Sequence, residues 1–108
     1  MNVDFITRAV KMLDLQLPVD IRLNYKSNAE NCGEYQPRFN KYGDIRSHVI
    51  WIYMLHQDRG LETTIVHELI HAWQAENNIQ DIHGKSFKRI AKMFPEYPDI
   101  YVKKVDKP

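Results

Sequence analysis

The first apolar positions, Ile6, Ala9, Val10, Leu13 and Leu17, recur at helical spacing and predict an amphipathic helix from about Val3 to Leu15, closed by Pro18. From Val19 the period drops to two. Val19, Ile21, Leu23 and Tyr25 alternate with polar neighbours, the pattern of a half-buried strand. Two further strand-like stretches run from Glu34 to Phe39 and from Ile45 to Leu55. Between them Asn40, Lys41, Tyr42, Gly43 and Asp44 suit a hairpin connection. The unbroken apolar run Val49, Ile50, Trp51, Ile52 marks a central strand, whereas Pro37 lacks a ladder donor and assigns its own strand to an edge. Past Gly60 the helical period returns. Leu61 to Asn77 reads as one long helix, and Phe87, Ile90, Ala91 and Phe94 mark another that opens near Gly84 and stops at Pro95. Beyond it, Tyr97, Ile100, Tyr101 and Val102 supply apolar side chains suited to folding back on the rest. A helix, three strands and two helices make an α+β fold, expected as a single domain over residues 1–108.

Composition narrows this picture. A chain of 108 residues with 44% apolar and 27% charged positions has the balance of a globular protein with one core, which excludes disordered and collagen-like classes. The formal charge of +1 sets up no overall field toward nucleic acid or an anionic membrane. Cys32 is the single cysteine, so no disulfide framework exists and a reducing compartment is expected. Asp4, Arg8, Lys11 and Asp14 interrupt any signal-peptide core, and no apolar run approaches the roughly eighteen residues of a membrane span. The expectation is a soluble cytoplasmic protein with no membrane partner.

Candidate chemistry lies in the long helix. His67, Glu68, Leu69, Ile70 and His71 form the H-E-x-x-H pattern of zinc metalloproteases. At about 100° per residue, His71 stands about 40° around the helix from His67 and one turn along, so two imidazoles can converge on one ion. Glu68 flanks the same face. Val66, Leu69, Ile70 and Trp73 occupy the opposite face with Ile65 and Ala72 at its border, so the helix is largely buried. Burying two imidazoles and a carboxylate is costly unless they are partnered or bind metal. His83 follows in the segment His83, Gly84, Lys85, Ser86, Phe87, and a catalytic zinc takes three protein ligands and leaves a fourth position to water. His67, His71 and His83 are therefore the candidate Zn2+ ligands, with Gly84 giving the backbone freedom to turn behind the third.

The sequence H-E-L-I-H-A-W followed by H-G-K-S-F resembles the SprT-like metallopeptidases, the group that includes the Spartan-type DNA–protein crosslink proteases. The resemblance extends upstream through Leu17-Pro18, the strand Val19 to Tyr25, Cys32 to Tyr35, and Glu62 and Thr63, and covers roughly Met1 to Phe94. It implies a zincin-like fold, zinc on His67, His71 and His83, and Glu68 as general base. In that scheme Glu68 takes a proton from water and returns it to the leaving amine. Two departures stand out: Cys32 alone cannot build the cysteine-rich zinc ribbon many members carry, and Lys85 stands where the family often has proline.

The strand Glu34 to Phe39 is the expected edge for a protein or peptide substrate adding as an antiparallel strand. Tyr35, Tyr97 and Tyr101 are candidate oxyanion stabilisers. His48 and His56 read as hydrogen-bonded structural residues, Cys32 as a small partly buried one, and Trp51, Tyr53 and Trp73 as core aromatics. Lys85, Lys88, Arg89 and Lys92 line the solvent face of the last helix; given the family, they are candidates for a weak DNA-backbone contact. Two functions compete: a zinc-dependent endopeptidase, with DNA-bound proteins among its substrates, and a catalytically inactive metal-stabilised module that binds DNA or protein. Glu68 favours the first, since a structural zinc needs no base.

Overall fold

The computed structural model describes residues 3–26, 31–55, 57 and 60–100. Three helices and three strands follow in the order α1 (Asp4–Met12), β1 (Val19–Asn24), β2 (Gly33–Phe39), β3 (Ile45–Tyr53), α2 (Leu61–Glu76) and α3 (Lys85–Ala91). The architecture is α+β. Helix α1 ends before Pro18 is reached: Asp14 adopts a left-handed backbone (φ 52°), which a continuing helix does not allow.

The sheet order is β1-β3-β2, so the apolar run lies on the central strand and Pro37 on an edge, as the pattern requires. Strands β2 and β3 pair antiparallel, with Tyr35 opposite Ile50 and a register shift at Arg38/Phe39. Strand β1 pairs parallel with β3, with Ile21 opposite Ile50.

One face of the sheet is covered by α2, and α1 and α3 pack on α2 in turn. The core joins Phe5, Ala9 and Leu13 of the first segment, Ile50 and Ile52 of β3, Ile65, Val66, Leu69 and Ile70 of α2, and Phe87, Ile90, Phe94 and Ile100 beyond it. Each fully buried aliphatic or phenyl side chain there contributes about 1.5–3 kcal/mol. Ten consecutive residues of α2, from Thr63 to Ala72, are buried. This helix therefore runs through the interior and carries its polar residues with it.

Two expectations need correction. Trp51 and Tyr53 are not core aromatics. They alternate with Ile50 and Ile52, so they project from the sheet face that α2 does not cover. There the Trp51 indole donates to Gln36 (3.0 Å) and the Tyr53 hydroxyl to Glu34 (3.2 Å). The last helix also ends at Ala91, and Phe94 reaches the core from the turn that follows.

Candidate metal centre

Helix α2 brings His67 and His71 together at i, i+4, and the turn before α3 delivers His83. Their Nε2 atoms form a near-equilateral triangle: 3.2 Å between His67 and His71, 3.1 Å between His71 and His83, and 3.3 Å between His83 and His67. A tetrahedral zinc about 2.0–2.1 Å from each nitrogen needs ligand separations of about 3.3–3.4 Å. Among the described residues, these three form a cluster able to hold a metal ion.

The outer nitrogens fix the inner ones. His67 Nδ1 lies 2.7 Å from the Ile100 carbonyl, which only accepts, so that nitrogen carries the proton. His71 Nδ1 lies 2.9 Å from Gln74 Oε1. The Gln74 amide nitrogen donates to the Ile82 carbonyl (2.7 Å) and to Ser86 Oγ (3.0 Å), which identifies Oε1 as the acceptor and His71 Nδ1 as a donor. In neutral rings both Nε2 lone pairs then point at each other across 3.2 Å, a repulsive arrangement that a cation between them reverses. The donor set fits a metal ion.

Gln74 links two parts of the site, since the amide that orients His71 also holds the turn carrying His83. Asp81 ties that turn to α3: its carboxylate accepts the Ser86 backbone N–H (3.0 Å) and the Ser86 hydroxyl. These bonds to Ser86 hold the Asp81 carboxyl below its usual range. Gly84 is required for a different reason than turning freedom. Its φ is −86°, open to any residue, but a Cβ there would come within 2.8 Å of the Asp81 carboxylate and 2.9 Å of its carbonyl oxygen. Phe87, fully buried, lays its ring against all three imidazoles at centroid distances of 4.7, 5.1 and 5.3 Å. That contact explains the phenylalanine of H-G-x-x-F.

Glu68 is completely buried and holds Oε2 at 4.0 Å from His67 Nε2. Gly33, the first residue of β2, makes room for it. A Cβ on Gly33 would lie 3.0 Å from Thr64 Cγ2, 3.0 Å from the Trp51 carbonyl oxygen and 3.2 Å from Glu68 Oε2.

The tyrosines expected near the chemistry have other partners. Tyr35 meets His48 Nδ1 at 2.7 Å, and His48 Nε2 meets Glu76 Oε2 at 2.6 Å. Burial pushes the Tyr35 hydroxyl pKa up, and the Glu76 charge adds to it. Burial alone would raise the Glu76 carboxyl, but the His48 bond and the backbone N–H groups of Gln16 and Leu17 outweigh it, leaving it below its usual range. Tyr97 donates to Glu62 at 2.8 Å and is pushed up to about 12 by burial and by that carboxylate. Tyr101 and His56 lie outside the described residues. Cys32 is buried, and Lys85, Lys88, Arg89 and Lys92 are all exposed. The sequence alone assigns no role to Gln74, Glu76 or the Ile100 carbonyl, and Gly33 enters only as part of the family resemblance.

The profile of the SprT-like family matches residues 19–104, from β1 through the third histidine and beyond, and the chain belongs to that family. No curated protein and no solved structure matches it. No helix among the described residues is long and apolar enough to cross a membrane.

Proposed function

We propose that this chain is a zinc-dependent endopeptidase, a single zincin-like domain in which His67, His71 and His83 hold the ion and Glu68 is the general base. The convergence of three Nε2 atoms to 3.1–3.3 Å carries this reading. Three ligands, rather than the four of a structural zinc, favour an enzyme over a metal-stabilised binding module, and the cluster found among the described residues has three. Family membership supports it further. When bound, zinc would supply a Lewis acid that polarises a peptide carbonyl and acidifies the attacking water.

The chain's own groups do the rest. Glu68 takes the water proton as the new C–O bond forms, and returns it to the amide nitrogen as the C–N bond breaks. Its burial in an apolar helix keeps competing water away from that carboxylate. Among the described residues strand β2 pairs with β3 on one side, and its other side offers an edge along which an extended protein or peptide substrate adds. Lys85, Lys88, Arg89 and Lys92 offer exposed charge for a weak DNA-phosphate contact, which suits DNA-bound proteins as substrates. The lone cysteine fits a reducing, cytoplasmic setting.

Elemental analysis of protein purified without chelator tests the centre: stoichiometric zinc in the wild type and its loss in His83→Ala are expected. Zinc retained undiminished by His83→Ala would refute the ligand set. Cleavage of unfolded casein should fall about 10²–10⁴-fold in Glu68→Gln with metal retained, and equal activity would remove Glu68 from its role. Single-stranded DNA should stimulate cleavage, less so as salt rises.

A further inference from the structure

We infer that the cleft beside His71 is a side-chain pocket that takes one medium-sized aliphatic residue, such as Leu, Ile or Met, of a peptide lying along β2. The inference rests on the peptidase reading above and assigns its substrate class. The cleft measures about 180 Å³ and is lined by Tyr35, His71, Gln74, Ala75, Ile79 and Ile82. Pockets for whole small ligands occupy roughly 300–1,000 Å³, so this one is the size for a side chain rather than a separate molecule.

Its walls set both place and preference. One wall is the ring of a candidate metal ligand, which puts the pocket beside the reacting carbonyl. Another is Tyr35, on the edge strand, so a peptide added to β2 presents alternate side chains toward the cleft. The hydroxyl of Tyr35 is tied to His48, and the amide of Gln74 is engaged with His71, Ile82 and Ser86, so these walls are rigid. Among the described residues, no acidic side chain, lysine or arginine lines the cleft, which gives a charged side chain nothing to meet there.

Ile82 supplies an independent observation. It is 50% exposed and stands outside the core cluster. Its backbone adopts φ +40°, a left-handed conformation that a β-branched residue takes only at a cost. An exposed, strained isoleucine adds little to folding, where asparagine or glycine would sit more comfortably. As the rim of a pocket for an aliphatic side chain it has a use. Ile79 and Ala75, half-buried and likewise outside the core, continue the same apolar wall.

The test uses the full chain and has a readout that needs no catalysis. With ¹³C-methyl-labelled isoleucine, blocked pentapeptides carrying Leu, Ala or Asp at the centre are titrated against the zinc-loaded and zinc-free protein. Saturable shifts of the Ile79 and Ile82 methyl signals are expected with Leu, with affinity lower by about 10–200-fold for Ala. Equal responses to Leu and Asp, or none to Leu, would overturn the pocket. Cleavage sites in unfolded casein, mapped by mass spectrometry, should show Leu, Ile or Met enriched at one fixed position from the scissile bond. Ile82→Asn should keep zinc content and Tm while losing that enrichment. An active wild type with a flat profile refutes the pocket and leaves the peptidase standing. Leucine-specific methyl shifts without any cleavage by the zinc-loaded chain support the pocket and refute the peptidase.

Discussion

Buried imidazoles stand in two places, His48 on β3 against the end of α2 and His67 with His71 on α2 itself, and they differ in what their nitrogens meet. At His48, fully buried, one nitrogen faces the Glu76 carboxylate and the other a tyrosine hydroxyl, which serves as donor or acceptor. Protein groups of complementary kind answer both, and the ring bridges β3, the end of α2 and the edge strand. At His67 and His71 the Nδ1 atoms meet a backbone carbonyl and an amide oxygen, while the Nε2 atoms turn toward one another and toward His83. Burial is common to both groups. Convergence of acceptor lone pairs separates the candidate metal centre from a structural histidine.

Exchanging losses between the two groups is the strongest way to break this comparison. His71→Ala should abolish stoichiometric zinc, whereas His48→Ala should keep zinc by elemental analysis and instead lower unfolding stability by about 1–3 kcal/mol, the cost of stranding buried polar partners. Zinc loss in both variants would erase the distinction. Next in size is Gln74→Leu. Losing the group that orients His71 and anchors the His83 turn should weaken zinc binding about 10–100-fold in a competition titration with a chromogenic chelator. Unchanged affinity would reduce Gln74 to packing.

Glu76 offers a subtler contrast through pH. Its carboxyl titrates lower in the folded chain than in an unfolded one, so the stability it contributes is fully present above the ordinary glutamate value of about 4.3 and is lost as pH falls through the folded value. The Tm gap between wild type and Glu76→Gln, measured on the zinc-free protein, should be widest at neutral pH and narrow as acid protonates the carboxylate. A gap that widens in acid would contradict the bond assignment. The smallest effect belongs to the exposed ion pair Arg8–Glu96 at 2.8 Å, where Arg8→Ala should cost at most about 1 kcal/mol in denaturant unfolding.

What could be read from the sequence follows the range of the interactions involved. The i, i+4 histidines and the H-G-x-x-F turn are local, and their spacing reports them directly. The central strand and the proline-marked edge are also local patterns, and both hold. The parallel pairing of β1 with β3 depends on how intervening chain crosses over, which no residue near either strand encodes. Trp51 and Tyr53 went astray because a continuous apolar run was read as two buried faces, whereas α2 covers the face that carries Ile50 and Ile52. Gln74 carried a usable signal, three residues after His71 and therefore on the same side of the helix. The Ile100 acceptor carried none, since a backbone carbonyl has no identity in sequence.

That carbonyl also sets an order of events during synthesis. His67 leaves the ribosome with its neighbours on α2, but the group that fixes its tautomer arrives 33 residues later. A nascent chain that has made only α2 holds two imidazoles with neither His83 nor this acceptor. The acceptor for His67 is in place only once the segment after α3 has folded back over the helix. On the proposed peptidase reading, metal capture is then a late step of folding, and an unfinished chain carries no complete ligand set.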